Sequence, residues 1–401
     1  LRQIMMTLLL ASLAVGLALA LITFPEQSLD ASVRGLNMWW EVVFPSLLPF
    51  FIAAELLIGF GVVQFIGLLF EPVMRPLFNV PGAGSFAWFM GMASGYPSGA
   101  KISARLREEN QLTKVEAERL VSFTNASSPL FVFGAVAVGF FHDARLGLLL
   151  ALAHYAGNTL VGLSMRFYKR RNTHTKPTEQ KAAVSIKKAF QSMHRTRLND
   201  PRPLGEVIGD AVLNAIQTLV MVGGFIILFS VLTKLLHIIG ISTAVGSLIQ
   251  YFFLMIKLAP ELSVPFISGL FEITLGAQLI SQLSIDSLLQ KMVIVSFILG
   301  FNGFSVQAQV ASILAKTDIS FKPYFFARIL HGMLAALLTI LLYKPVYLNR
   351  YPADEAVTTV GQDFNTSLSA DILNVLSEYG PFLTIASLGI AVLILINKKN
   401  Q

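Results

Sequence analysis

Four short polar stretches interrupt an otherwise apolar chain, and they form two pairs. Ser94, Gly95, Tyr96, Pro97, Ser98, Gly99 and Lys101 stand against Glu272, Thr274, Gly276 and Gln278. Thr124, Asn125, Ala126, Ser127, Ser128 and Pro129 stand against Asn302, Gly303, Ser305, Gln307 and Gln309. Gly and Pro in these stretches interrupt helices, and each interruption frees main-chain N–H and C=O groups. Half-helix N-termini offer partial positive charge, which suits an anion, while side-chain amides and hydroxyls replace the water a solute leaves behind. The chemistry on offer is therefore recognition of a polar solute at membrane depth. Polar residues that merely hydrogen-bond neighbouring helices give a simpler account of any one position. Two matched clusters, each beside a broken helix, favour the solute site.

Ionisable residues inside apolar segments are costly and mark function. Lys101 is a candidate counter-charge for a substrate carboxylate, or else a lysine reaching the membrane rim. Glu272 is a candidate for a coupling cation or a proton, or else a structural hydrogen-bond partner. His154 and His331 are candidates for proton coupling, with matched interhelical hydrogen bonds as the alternative. Two histidines without a third ligand make a weak metal site, so no metal and no cofactor are expected. The chain has no cysteine, so disulfides, thiolate metal sites and thiol nucleophiles are excluded. No spacing resembles a nucleophile elbow, and GYPSGAK lacks the phosphate-loop spacing. An enzyme is not expected, and without a nucleotide site any energy comes from a gradient, a partner or trapping downstream.

The elements that must hold these residues repeat. At an offset of 177 residues, Leu36-Asn37 matches Leu213-Asn214 and Gly99-Ala100 matches Gly276-Ala277; Asn125 matches Asn302, Ser128 matches Ser305 and His154 matches His331. The expected fold is an all-α polytopic membrane protein of two inverted-topology repeats, each with a re-entrant helical hairpin and a broken transmembrane helix. A membrane helix is expected over 1–28 and a first repeat over 29–168. A basic cytoplasmic linker covers 169–204 and the second repeat 205–343. An external loop over 344–375 and a last helix over 376–401 follow. Pro45 and Pro49 are expected to kink or break the segment Val43 to Leu69. PGAGSFAWFMGMASGYPSGAKISA reads as one hairpin and Leu258 to Gln282 as its match. Arg105 to Arg119 reads as a charged surface helix.

Composition agrees with the membrane. Hydrophobic residues make up 54% and charged residues 13%, about half the charged share of a soluble domain, which is roughly 25%. The net charge of +7 is carried largely by ten Lys/Arg between Lys169 and Arg202, facing only Glu179 and Asp200. A basic loop between spans is the positive-inside signature, so it marks the cytoplasm and no nucleic-acid partner. Asp354, Glu355, Asp363, Asp371 and Glu378 mark the following loop as external. The two repeats then cross the bilayer in opposite senses.

FMGMASGYPSGAKIS, VSFTNASSPLFVFGAVAVG and LAHYAGNTLVG closely resemble the sporulation integral membrane proteins of the YlbJ type, within the wider nucleoside-recognition or Gate group. The resemblance covers nearly the whole chain and is most specific in its first half. It implies an endospore-forming bacterium and movement of dipicolinic acid from the mother cell across the outer forespore membrane. The motifs correspond here to Ser94-Gly95-Tyr96-Pro97, Gly99-Ala100-Lys101 and Asn125 to Pro129. Dipicolinate is a flat aromatic dianion needing N–H-rich or cationic ends and an apolar slot; Lys101, the hairpin N-termini, Tyr96, Phe123 and Phe301 are the candidates. Transport of nucleosides or another neutral solute, a channel, and a non-transporting scaffold for forespore complexes remain the alternatives.

Overall fold

The computed structural model describes residues 2–169 and 186–349, and the regular elements in them are helical. Expectations for 170–185 and for the loop and helix beyond 349 lie outside the described residues. The first half runs α1 (Arg2–Thr23), α2 (Pro25–Asn37), α3 (Phe44–Gly59), α4 (Val62–Phe78), α5 (Gly84–Ser94), α6 (Ser98–Glu108), α7 (Lys114–Thr124) and α8 (Arg145–Met165). After α9 (Ile186–Asn199) come α10 (Leu204–Ile238), α11 (Ile241–Met255), α12 (Ser263–Phe271), α13 (Ile273–Gln282), α14 (Leu288–Phe301), α15 (Gly303–Leu314) and α16 (Phe321–Leu342). Wider π-type turns occupy Met38–Val43, Leu130–Phe140 and Tyr343–Leu348. Displaced by 177 residues, α5 and α7 fall on α12 and α14 to within three residues.

Ile4–Thr23, Arg145–Met165, Leu204–Ile238, Leu288–Leu314 and Phe321–Leu348 are each long and apolar enough to cross a membrane. Hydrocarbon about 30 Å thick needs about 20 such residues, so α5, α6, α12 and α13 are each too short to cross alone. They pair instead, α5 against α6 and α12 against α13. Each pair turns on a few irregular residues: Gly95-Tyr96-Pro97 in one, Glu272 in the other. Close approach is what the small residues supply. A side chain at Gly99 would collide with the Thr124 main-chain oxygen, and one at Gly276 with the backbone of Gly269. Gly300 and Gly332 likewise bring α14 and α16 together.

Two sequence expectations are corrected. Pro45 and Pro49 do not break their helix. Pro45 lies in the first turn of α3, where its missing donor is least costly, and the π-type turn Met38–Val43 upstream absorbs the altered register. The break comes at Gly61, whose φ of 75° suits glycine, and α3 and α4 meet there at 82°. Arg105 to Arg119 is no single surface helix. It is the end of α6, a turn, and α7, which starts with a capping box between Thr113 and Glu116. Glu116, Glu118 and Arg119 are buried rather than solvated. Arg119 donates to the main-chain oxygens of Asn79 and Tyr168, which are free because α4 and α8 end there. Upstream, α2 packs Ala31 and Gly35 against α10.

Candidate functional site

The turns of both hairpins and parts of both crossing segments line one cavity of about 410 Å3. The first hairpin contributes Ser94, Gly95 and Tyr96, the second Glu272 and Thr274, and the crossing segments Ser128, Ser305 and Gln309. Leu47, Phe131, Phe140, Val222 and Ile226 make much of the remaining wall apolar.

Local backbone chemistry explains how each polar group is held. Gly95, at φ 87°, carries the chain from α5 into the turn, where the Ser94 hydroxyl lies within hydrogen-bond distance of Met90 O, at 2.6 Å, and of the Ser98 hydroxyl, at 2.7 Å. Ser98 in turn donates to the Gly95 carbonyl. The Ser127 hydroxyl donates to the Tyr96 phenol oxygen at 2.9 Å, fixing that ring at the cavity wall. Ser128 Oγ accepts the Phe131 N–H at 3.2 Å and so caps the helix that Pro129 opens. Glu272 Oε2 accepts the Leu275 N–H at 2.7 Å, which makes it the N-cap of α13 as well as a cavity residue. Among the described residues the cavity lining includes no lysine or arginine; Glu272 and the phenol of Tyr96 are its ionisable groups.

Other expected residues lie elsewhere. Lys101 is away from the cavity, 3.0 Å from Glu55, with its ammonium also donating to Asn214 O at 3.2 Å. Gln278 is exposed, on the outer face of α13. Gly99 serves packing, as above. Gln307 is buried and donates to Phe301 O at 3.0 Å, satisfying a carbonyl that the end of α14 leaves free. Phe123 stacks on Phe78, and Phe301 packs against Phe304.

Asn125 and Asn302 do meet, in a fully buried polar cluster behind the cavity. Asn302 Nδ2 donates to Asn125 O at 3.1 Å and to the Tyr324 hydroxyl at 3.3 Å, and Asn125 Nδ2 donates to the same hydroxyl at 2.8 Å. The histidines are matched in space as in sequence, with ring centroids 4.6 Å apart. His331 Nε2 bonds to the His154 main-chain oxygen at 2.8 Å, while His154 Nε2 accepts the Ser127 N–H at 2.9 Å. Both histidines therefore serve interhelical hydrogen bonds, and neither lines the cavity.

Arg328 holds this cluster together, and sequence reasoning missed it. Its guanidinium is fully buried and donates to Asn125 O at 2.9 Å, to Ser122 O, to Asn158 Oδ1 at 3.2 Å and to His331 Nδ1 at 3.0 Å. Asn158 Nδ2 donates to Phe123 O. These are the carbonyls freed where α7 ends, and a cation at a helix C-terminus is also favoured by the helix dipole. A lone arginine inside the apolar stretch Phe325 to Leu342 was the available signal. Glu55, alone in the apolar run Val43 to Leu69, was another.

Residues 40–141 and 219–317 each match the Gate family model, described as nucleoside recognition. The chain is also 52% identical, over 384 residues, to the sporulation integral membrane protein YlbJ of Bacillus subtilis (strain 168). That alignment covers 95% of this chain and 94% of that protein. No solved structure matches the chain.

Proposed function

The chain belongs to the family of the sporulation integral membrane protein YlbJ, with the Gate domain present twice, and from that premise we propose that it is a transporter of a small organic anion. The solute we propose is dipicolinate, carried from the mother cell across the outer forespore membrane. The two Gate copies lie in opposite senses in the bilayer and expose one central site alternately to each side. The observation that carries this reading is a cavity bounded by the broken helices of both copies. Its volume, about 410 Å3, falls in the range of small-molecule sites, roughly 300–1,000 Å3. The apolar wall suits an aromatic ring, and the hydroxyls of Tyr96, Ser128, Thr274 and Ser305 suit its polar edge.

Glu272 supplies the coupling. An ionised carboxylate and a substrate carboxylate about 4 Å apart repel by about 4 kcal/mol at an effective dielectric of 20. Among the described residues no cation in the lining offsets this, so Glu272 takes a proton when the anion is bound, and the two move together.

A neutral solute is the second reading, favoured by the same lack of cationic lining and by the description of the family model. Thermal-shift binding on the purified protein, with dipicolinate and uridine, separates the two. Stabilisation by dipicolinate alone, lost in Ser305→Phe, supports the anion carrier. Stabilisation by uridine alone replaces it with the neutral-solute reading. No shift with either ligand favours a scaffold.

A further inference from the structure

A second, polar cavity of about 210 Å3 is lined by Arg105, Glu109, Asp200, Arg202, Asp210 and Asn214 among others. Its arginines are already paired: Arg105 with Glu109 at 2.9 Å, and Arg202 with Asp200 and Asp210 at 2.8 Å each. A third void of only about 10 Å3 is walled by Phe51, Glu55, Ser98 and Lys101, enough for about one water and no larger solute.

These spaces share their walls in sequence. Glu55 and Arg105 line both the polar cavity and the small void. Ser98 of the small void is hydrogen-bonded at 2.7 Å to Ser94, which lines the central cavity. Leu47 and Phe51, one turn apart on α3, wall the central cavity and the small void respectively. At the narrow point, Lys101 Nζ lies 3.0 Å from Glu55 Oε1 and 5.2 Å from the centre of the Phe51 ring.

We infer that Glu55 and Lys101 form the plug of an access route between the polar cavity and the central cavity. This rests on the transporter reading for what passes along the route. The physical case is the choice of residues. A half-buried ion pair stabilises a fold no better than apolar side chains of the same volume, because desolvation offsets the attraction. What an ion pair offers instead is exchange: a carboxylate-bearing solute arriving from the polar cavity can take Glu55's place on Lys101. The side chains are 14% and 18% exposed, so the pair is reachable from the polar side. A hydroxyl pair, Ser98 and Ser94, then bridges the remaining distance to the central site.

The absence of cysteine from the sequence allows a direct test. Thr274→Cys places one thiol on the central cavity, and a membrane-impermeant cationic methanethiosulfonate is applied separately to each face of reconstituted vesicles. Glu55→Gln or Lys101→Met should raise the labelling rate at least about tenfold from the face carrying Arg105 and Arg202. The exchanged pair, Glu55→Lys with Lys101→Glu, should return it to the slow rate, which a damaged fold would not do. Unchanged labelling in both single variants overturns the plug. So does an equal rise from both faces, or failure of the exchanged pair to slow labelling. Labelling requires no transport, so a wrong solute or a scaffold function leaves this outcome readable.

Discussion

The two helix breaks, at Asn125 and Asn302, carry matched asparagines and are built differently. At Asn125 the chain leaves the helix for several residues, Asn125 to Pro129, before the next helix starts. At Asn302 two residues of positive φ, Asn302 at 72° and Gly303 at 58°, suffice, and α15 begins at once. The wide break frees several carbonyls, and side chains from beyond α7 must donate to them: Arg328, Asn158 and Asn302. The narrow break needs Gln307 for Phe301 O. At the 177-residue offset, Arg328 and Tyr324 correspond to Ala151 and Gly147. The breaks therefore sit at matched positions but are satisfied differently: the first draws on Asn302 and Arg328 from the second half and Asn158 from its own, the second on Gln307 nearby.

Removing Arg328 should break this arrangement most severely. Arg328→Met leaves two main-chain carbonyls and the Asn158 oxygen without their charged donor, at about 1–3 kcal/mol each before relaxation. The expected outcome is loss of monodisperse protein, or a large fall in melting temperature in detergent. Arg328→Lys should recover part of that loss, since it keeps the charge and fewer donors. A native melting temperature in Arg328→Met would show that the wide break needs no external donors.

The asparagines sharpen the same contrast. Asn302→Leu loses two hydrogen bonds and forces a left-handed conformation that costs roughly 1–2 kcal/mol for such a residue. Asn125→Leu loses its bond to Tyr324, worth about 1 kcal/mol, and should be milder. Asn302→Gly should recover the conformational part alone. Equal melting temperatures for the two leucine variants would erase the distinction between the breaks. At the cavity, Glu272→Gln retains an acceptor for the Leu275 N–H, so stability should change by less than about 1 kcal/mol. Proton-coupled uptake in that variant should become insensitive to an imposed pH gradient. Gradient-driven uptake equal to that of the parent protein would remove Glu272 from coupling.

Much of this site is visible in the sequence because Gly, Pro, Asn and Ser clusters have no ordinary place in apolar helices. The Ser94 to Pro97 turn, the Asn125 to Pro129 break and Glu272 follow from composition and spacing alone. What sequence could not supply is direction. Gln278 and Thr274 are four residues apart on α13, yet one is exposed and the other lines the cavity. Lys101 lies beyond the hairpin turn, and its pairing with Glu55 depends on how α3 passes α6. Arg328 was legible as a lone charge in an apolar span, but its ligands are main-chain oxygens 203 and 206 residues away. Main-chain acceptors leave no side-chain signature to match.

The smallest effect is expected where the copies meet outside the apolar core. Arg107, at the end of α6, makes a two-point contact with Asp318, at 2.9 Å to each carboxylate oxygen, across the turn between α15 and α16. Those bonds hold the Asp318 carboxyl below its ordinary value. The pair thus adds stability above the ordinary carboxylate value and loses it as pH falls through the lowered one. Both side chains are substantially exposed, 26% and 46%, so the contribution is about 0–1 kcal/mol. Asp318→Asn should therefore lower the melting temperature slightly at neutral pH and not at all at strongly acid pH. A loss as large as that of Asn302→Leu would move the junction of the two copies from the buried cluster to this surface pair.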